Sequence, residues 1–224
     1  MIRKYIMLAL MVLFVCGALA SCTKYNLVET GYARGKHDTS MDKYFQGDTY
    51  NWRLTRQLIT YAGLTDIFSQ TEGEGITFFG VTDHSIRRYL LQMQDRENEA
   101  AEEEGRVAKK LTLEDIPVNT AREMIQRSVI KGRFMLSDIP LGKLTPNGDA
   151  LRGEGGKEYE TLAGSKLWIY TFREPYERIP DAGPVSIYVV SEERDKRVKV
   201  ASSDIQTLTG IVHSLPYDYT LGEL

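Results

Sequence analysis

The sequence predicts one domain of the α+β class. Helical periodicities are concentrated in the first half of the chain, whereas four strand-like apolar runs lie in the second half. This order is typical of an α+β domain and differs from the strand–helix alternation of βαβ folds. No internal repeat is visible, and 42% hydrophobic with 26% charged residues are typical of a globular chain with a sizeable core. The 224 residues therefore indicate one domain rather than two.

The chain opens with a segment typical of protein export. Arg3 and Lys4 precede an apolar run over residues 5–15, as in a secretory signal peptide. Residues 19–22 read Leu-Ala-Ser-Cys, which is similar to a bacterial lipobox, in which the cysteine thiol receives diacylglycerol. We therefore expect a lipoprotein signal peptide over residues 1–21 and lipidation of Cys22. The alternatives are an ordinary secretion signal with an incidental cysteine, and a membrane-spanning anchor, for which the run is shorter than the roughly 20 residues required.

Cleavage before Cys22 would change the composition of the mature chain. Cys16 would be removed, so a single cysteine would remain, and lipidation would consume it. Without Arg3 and Lys4, 26 basic residues remain against 31 acidic ones, and the net charge changes from −3 to −5. Buried acyl chains would hold the protein on a membrane. No aspartate follows the cysteine directly, which favours the outer membrane and leaves the leaflet open.

The first elements of the predicted mature chain are a tether and a helix. Residues 22–40 are polar and have no sustained period, so they predict a flexible tether. The predicted domain covers residues 41–224. Leu54 and Leu58 recur at helical spacing, and Gly63 suits the left-handed position that ends a helix.

A strand and a second helix come next. Residues 76–81 form a short apolar run rich in strand formers. Thr82 is placed to cap the helix that follows, whose Ile86 and Leu90 are expected to point inward.

Two polar insertions and a third helix separate these elements from the strand-rich half. Residues 92–112 are strongly charged, which indicates a solvated helix or a mobile insertion. Thr120 and Glu123 have capping-box spacing and predict the start of a helix. A second polar insertion covers residues 142–157. The remaining predicted strands cover residues 167–172, 185–190, 198–201 and 211–215.

Three segments carry a recognisable pattern. The sequence reads Thr-Phe-Phe-Gly-Val-Thr-Asp over residues 77–83 and Asp-Ile-Gln-Thr-Leu-Thr-Gly-Ile-Val-His over residues 204–213. Between them, residues 125–139 have the character of a helix that leads into a strand. This ordered set resembles the fasciclin (FAS1) domain family, here as a bacterial lipoprotein. The resemblance spans residues 41–224 and implies a wedge of β-strands packed against several helices.

The resemblance also indicates which residues have structural roles, and where the chain departs from the family. Val81 replaces a family proline and Thr209 replaces an asparagine. Arg127 and Ser128 stand where animal relatives have a Tyr-His pair associated with integrin adhesion, so an integrin-type function is not implied. The residues that match the family pattern, and that we expect to be structural, are Thr77, Phe79, Thr82, Asp83, Asp204, Gly210 and His213.

Composition and motifs argue against several functional classes. A pI near 5.7 is unlike that of a general nucleic-acid binder. Two cysteines and three histidines are too few for a zinc array or an iron–sulfur site. No Gly-x-Ser-x-Gly motif is present, and the glycines of residues 153–157 lack P-loop spacing. We therefore expect no enzymatic activity, no cofactor and no metal.

The histidines and tyrosines leave more room for interpretation. His213 shares one side of a predicted strand with Ile211 and Leu215, so we expect it to be partly buried and hydrogen-bonded. His84, in the first turn of a predicted helix, is expected to be solvated. The 13 tyrosines outnumber the 7 phenylalanines, which suits either a protein- or sugar-binding surface or half-buried strand positions.

The sequence thus predicts a lipid-anchored protein of the cell envelope whose fasciclin-like domain mediates adhesion or binds a protein or glycan ligand. Its partners would be the membrane, through the lipid on Cys22, and that ligand, but no nucleic acid. The alternative is an accessory subunit of an envelope complex that handles glycans or other polymers.

Overall fold

The computed structural model of the protein describes residues 35–143, 151–179 and 182–224. The predicted signal peptide (1–21), Cys22 and the first part of the predicted tether (23–34) lie outside the described residues. Residues 35–224 cluster into one compact unit.

The described part of the chain contains five α-helices, all of which end before residue 127. Contacts link the first helix to the second and third, and the second to the fourth and fifth. Their bounds are α1 Met41–Gly47, α2 Arg53–Tyr61, α3 Thr65–Ser69, α4 Asp83–Glu103 and α5 Val118–Gln126.

Two four-stranded sheets and one short strand pair make up the β-structure of the described residues. The first sheet has the order β2-β1-β10-β9, and the second has the order β5-β6-β7-β8. Every pairing is antiparallel except that of β1 with β10, which is parallel. The strands are β1 Ile76–Gly80, β2 Val129–Lys131, β3 Gly142–Lys143, β4 Glu154–Gly155, β5 Lys157–Glu160, β6 Lys166–Arg173, β7 Val185–Ser191, β8 Lys196–Lys199, β9 Ser202–Gln206 and β10 Gly210–Ser214.

Strand β1 lies at the centre of the core. All five of its residues are buried, and the one polar side chain among them, that of Thr77, is hydrogen-bonded. Two close approaches around it require glycine. A Cβ on Gly80 would lie 2.7 Å from the Trp52 ring, and one on Gly210 would lie 1.8 Å from the carbonyl oxygen of Ile76. The helices and both sheets share one cluster of buried apolar side chains, and the predicted α+β class is confirmed.

Most predicted elements are observed, with a correction at one helix start. Gly63 adopts φ +69° after α2, and the Leu64 amide donates to the Ile59 carbonyl at 3.0 Å, as in a Schellman motif. Helix α5, however, begins at Val118 after Pro117, not at Thr120. The prediction from capping-box spacing was wrong because proline, with its fixed φ, already starts the helix two residues earlier.

The first charged insertion is a solvated helix over most of its length. Residues 92–103 continue α4, and the chain after the helix folds back on it. The Lys109 amide donates to a Glu97 carboxylate oxygen at 2.9 Å, and the Leu111 amide donates to Gln94 Oε1 at 2.8 Å. In the second insertion, β3 pairs with β4, and residues 144–150 between them lie outside the described residues.

The chain just before α1 lies along the outer edge of β9. The Gln206 amide donates to the Gly35 carbonyl at 2.7 Å, and the His37 amide donates to the Gln206 carbonyl at 2.8 Å. The Leu208 amide donates to the Thr39 carbonyl at 2.8 Å. Residues 35–39, within the predicted tether, are therefore hydrogen-bonded to the sheet.

Candidate functional site

Asp83, one of the motif residues, stabilises a helix other than its own. Its Oδ1 accepts hydrogen bonds from the backbone amides of Leu54 at 2.6 Å and Thr55 at 3.2 Å, which are free donors in the first turn of α2. Burial raises the pKa of Asp83, and these two hydrogen bonds oppose the rise. The carboxylate thus performs the capping role that Trp52, the residue before α2, cannot.

Thr82 occupies the N-cap position of α4 but does not cap it through its side chain. Its backbone is extended, with φ −82° and ψ 169°, and its hydroxyl lies 3.5 Å from Ser85 Oγ instead of bonding an amide. The expected side-chain cap at Thr82 is therefore absent.

Thr77 and His213 hold the segment between β2 and the following 3₁₀ turn. Thr77 Oγ1 donates to the Gly132 carbonyl at 2.8 Å and accepts from the Phe134 amide at 2.9 Å. His213 Nε2 lies 2.9 Å from the Phe134 carbonyl, and its Nδ1 accepts from the Asp204 amide at 3.2 Å. Nε2 is therefore the protonated nitrogen of a neutral ring.

His213 is fully buried and stacks on Phe79 with ring centroids 5.6 Å apart. Burial lowers the pKa of His213, so the ring stays neutral. Asp204 adopts φ +63° and its Oδ1 accepts from the Leu136 amide at 2.7 Å. Both ring nitrogens of His213 are therefore hydrogen-bonded to backbone groups of this chain, those of Phe134 and Asp204.

The motif residues therefore do not form one site. Thr77, Phe79, Asp204 and His213 surround the segment at Phe134, and Gly210 permits the close approach of β10 to β1. Asp83 contacts the start of α2 instead. The hydrogen bonds of Thr77, Asp83, Asp204 and His213 fix the backbone, and none of these residues lines either of the two grooves described below.

Arg127 is buried. It stands where animal members of the fasciclin family have the tyrosine of a Tyr-His pair. Its Nε donates to the carbonyl of Leu224 at 2.9 Å, and Nη2 lies 2.6 Å from a Glu193 carboxylate oxygen. Glu123 lies one helical turn away, at 3.4 Å. The guanidinium joins α5 to the β7–β8 turn and to Leu224.

The tyrosines divide between the two roles that the sequence left open. Tyr170 and Tyr188 stack within the second sheet at 5.3 Å, and Tyr219 is buried. Tyr176 and Tyr217 instead expose 57% and 52% of their surface. Tyr176 and Tyr217 are therefore accessible to a ligand.

Tyr217 belongs to a groove of about 310 Å³, which we call the aromatic cleft. The cleft lies between the α1–α2 connection and the segment after β10. Its wall combines rings, hydroxyls, one amide and one carboxylate. The residues that line it are Tyr44, Asp48, Asn51, Trp52, Ala201, Ser202, Ile205, Ser214, Leu215, Pro216 and Tyr217.

A row of aromatic rings continues from the cleft over the surface. His84 lies between two tyrosines, with its ring centroid 4.2 Å from that of Tyr217 and 5.7 Å from that of Tyr50. Tyr50 exposes 70% of its surface. The expectation that His84 is merely solvated was wrong, because the half-buried ring packs between Tyr50 and Tyr217.

A chain of hydrogen bonds fixes this aromatic row. The Tyr217 hydroxyl donates to Asn51 Oδ1 at 2.9 Å. The Asn51 side-chain amide donates to Asp48 Oδ2 at 2.9 Å, and Asp48 Oδ1 accepts from the backbone amides of Tyr50 and Asn51, each at 3.2 Å. Sequence reasoning missed Tyr44, Asp48, Tyr50 and Asn51. The spacing Asp-x-x-Asn in a turn region was the one local signal.

A second groove of about 420 Å³ adjoins the aromatic cleft, since Ala201 and Pro216 line both. Both of its lysines form ion pairs with glutamates. Lys196 Nζ lies 2.8 Å from Glu223, and Lys199 Nζ lies 2.8 Å from Glu174. These pairs reduce the net field that the groove presents to an anion.

Two general features complete the description. Within residues 35–143, 151–179 and 182–224, no group of three or more His, Cys, Asp or Glu side chains is placed to hold a metal ion. Over the same residues, no helix has the length and apolar character needed to cross a membrane.

Comparison with known proteins adds a likeness of fold. No protein-family model matches the sequence, and no curated protein is detectably similar to it. Among solved structures, the chain is similar to a FAS1 domain pair from the insect cell adhesion molecule fasciclin I, with a TM-score of 0.48 and 14% sequence identity. The match covers 82% of this chain and 50% of that chain, so the protein spans about half the length of its neighbour. At this identity the likeness concerns the fold alone.

Proposed function

We propose that this protein is a lipid-anchored component of the bacterial cell envelope that binds an extracellular or envelope ligand without chemical turnover. The observation that carries the binding role is the aromatic cleft, where exposed rings are held rigidly beside hydrogen-bonding groups. Exposed aromatic side chains with polar neighbours are typical of recognition surfaces.

The arrangement of titratable groups supports a binding role over a catalytic one. A catalytic site needs perturbed acids, bases or nucleophiles that converge on a cleft. Among the described residues, two buried groups with shifted pKa values, Asp83 and His213, make backbone hydrogen bonds and line neither the aromatic cleft nor the second groove. In the aromatic cleft the one carboxylate, Asp48, is engaged in organising the turn.

Membrane attachment through Cys22 is the second half of the proposal, and it rests on the sequence. The lipobox-like residues 19–22 and the short apolar run before them support it. Two or three acyl chains on one cysteine would bury enough methylene groups, at about 0.8 kcal/mol each, for stable anchoring. The outer membrane is the proposed location.

Replacement of the proposed lipidation site tests this attachment directly. In cells expressing Cys22→Ala, we expect the protein to leave the membrane fraction, measured by ultracentrifugation, and to lose incorporation of labelled palmitate. Cys16→Ala is the matched control, because Cys16 lies in the segment that cleavage would remove. Membrane association of Cys22→Ala equal to that of the wild type would contradict the anchoring proposal.

Protease treatment of intact cells tests exposure at the surface. Digestion of the domain without lysis would support a role in adhesion outside the cell. Complete protection until the cells are lysed would exclude that role and leave binding within the envelope.

A second candidate, an accessory subunit of an envelope complex, is favoured by one exposed hairpin. Tyr176 and Ile179 expose 57% and 59% of their surface and flank Glu177 and Arg178, which adopt φ +46° and +70°. Co-purification from detergent-solubilised membranes tests this candidate. A stable partner that is lost in Tyr176→Ser/Ile179→Ser would support it, and recovery of the wild type as a lone monomer would count against it.

A further inference from the structure

We propose that the aromatic cleft binds an uncharged saccharide, whose ring stacks on the exposed Tyr217 and on Tyr50 in the adjoining aromatic row, and whose hydroxyls bond the polar groups of the cleft. This inference rests on the proposed binding function and names the chemical class of its ligand. It draws on the charge, size, polarity and rigidity of the cleft.

The charges of the cleft favour a neutral ligand. Asp48 is the only charged residue among the described residues that line it. Phosphate, sulfate or carboxylate groups would be repelled by this carboxylate and would find no lysine or arginine partner. An anionic ligand is therefore disfavoured, and a polyol or sugar is compatible.

The volume of the cleft suits a small rigid group. Ligand pockets start at about 300 Å³, and this groove has about 310 Å³. A pyranose ring, or two linked rings with one extending over the rim, would fill such a space. A protein partner would instead need an interface of about 1,000 Å² or more, which the cleft alone does not supply.

The polar groups of the cleft match a ligand that carries many hydroxyls. A sugar hydroxyl both donates and accepts, so it pairs with carboxylate, amide and hydroxyl groups alike. Asp48 Oδ2 and Asn51 Oδ1 each accept one hydrogen bond within the protein, so each has a second lone pair for a ligand hydroxyl. Tyr44, Ser202 and Ser214 add hydroxyls. Apolar side chains, among them Ile205, Leu215 and Pro216, lie beside these polar groups. A sugar ring has polar edges and an apolar face, so it can contact both kinds of side chain.

The rings are organised before any ligand arrives. Asp48 holds Asn51 at 2.9 Å, and Asn51 holds the Tyr217 hydroxyl at 2.9 Å, so the ring of Tyr217 is fixed from its polar end. His84 packs against the same ring at 4.2 Å. The ring nevertheless remains 52% exposed. A fixed and exposed ring loses little side-chain entropy when an apolar sugar face stacks on it.

Affinity electrophoresis tests the proposal with defined probes. The full chain, in detergent, would be run in native gels that contain soluble starch, dextran, xylan, galactomannan or mixed-linkage β-glucan. We expect at least one of these neutral polysaccharides to retard the wild type. Tyr217→Ala and Tyr50→Ala should each weaken the retardation constant about tenfold, whereas Tyr217→Phe, which keeps the ring but loses the bond to Asn51, should have a smaller effect.

Leu91→Ala is the control, since it removes an apolar side chain of α4 that is 64% exposed and lines neither the cleft nor the hairpin at Tyr176. It should be retarded like the wild type, and all variants should keep the thermal midpoint of the wild type within a few degrees. Migration of the wild type unaffected by all five polysaccharides would overturn the proposal. So would retardation that persists in both Tyr217→Ala and Tyr50→Ala, or capture of a protein that these variants abolish while no polysaccharide is bound.

The failure of this inference is distinguishable from failure of the proposed function. Lipid attachment is measured by the fractionation of Cys22→Ala, which does not depend on the cleft. An anchored protein that binds a non-saccharide ligand would retain the broader proposal and exclude the saccharide.

Discussion

At the scale of single residues, several conspicuous side chains fix the backbone. His213 is the clearest example, because both ring nitrogens bond backbone groups and the ring is completely buried. Asp83 likewise caps α2 from a position almost thirty residues further along the chain. In each case the polar group is satisfied inside the fold, as burial requires.

The buried histidine gives a specific dependence of stability on pH. In the folded state the pKa of His213 lies below its ordinary value of 6.5 because of burial, and the nearby Asp204 carboxylate only partly opposes this. Below about pH 6.5 the unfolded chain therefore binds a proton that the folded chain does not, so stability falls as pH decreases, by at most about 1.4 kcal/mol per pH unit.

The measurement is the free energy of unfolding by urea between pH 7.5 and 5.5. We expect His213→Gln to flatten the slope over this range, whatever its absolute stability. His84→Gln, which leaves His213 in place, should keep the slope of the wild type. An unchanged slope in His213→Gln would show that another group is responsible.

At the scale of elements, the parallel pairing of β1 with β10 organises the first sheet. It depends on the missing side chain of Gly210, where an added Cβ would lie 1.8 Å from the Ile76 carbonyl oxygen. Such a distance cannot be relieved by a rotamer change, because the obstacle is backbone. The glycine is thus needed for close approach and not for an unusual φ.

We expect Gly210→Ala to destabilise the protein by about 3 kcal/mol or more, since the two strands must separate to admit the methyl group. Thermal or urea unfolding measures the loss. Gly47→Ala is the matched control, because an added Cβ there has no neighbour within 4 Å, and it should be neutral or stabilising by up to about 1 kcal/mol. Equal stability of Gly210→Ala and the wild type would contradict the pairing.

At the scale of the whole molecule, Arg127 joins distant parts of the chain. Its guanidinium bonds the carbonyl of Leu224, 97 residues away in sequence, and an oxygen of Glu193, 66 residues away. The side chain is 6% exposed, whereas that of Glu193 is 59% exposed. The bond to the carbonyl is therefore better shielded from water than the ion pair.

We expect Arg127→Met to lower the free energy of unfolding by about 1–3 kcal/mol, because the carbonyl of Leu224 loses its donor. Arg56→Met is the comparison, since it removes an ion pair with Asp42 whose arginine is 39% exposed and should cost less than about 1 kcal/mol. Urea unfolding of both variants measures the difference. Equal losses of unfolding free energy in the two variants would show that the burial of Arg127 does not make its bonds more stabilising than an exposed ion pair.

Features of the fold were predictable from the sequence where they depend on residues close together along the chain. The end of α2 at Gly63 and the strands of the second half were predicted from residues that are neighbours in sequence, because period and turn chemistry act locally. The start of α5 was predicted two residues late, since Pro117 outweighed the capping-box spacing at Thr120. For the candidate site, the sequence left open whether the tyrosines form a binding surface or occupy half-buried strand positions.

By itself, the sequence determined the α+β class and the main helices and strands, since each depends on local composition and periodicity, whereas the export signal stays a prediction. Only the tertiary structure decided which tyrosines are exposed and what lies beside them. The Tyr217 hydroxyl meets Asn51 across 166 residues of sequence, and the parallel partners β1 and β10 are almost as far apart along the chain. Such contacts follow from the packing of the whole chain, because no local pattern specifies which distant segment will fill a given space.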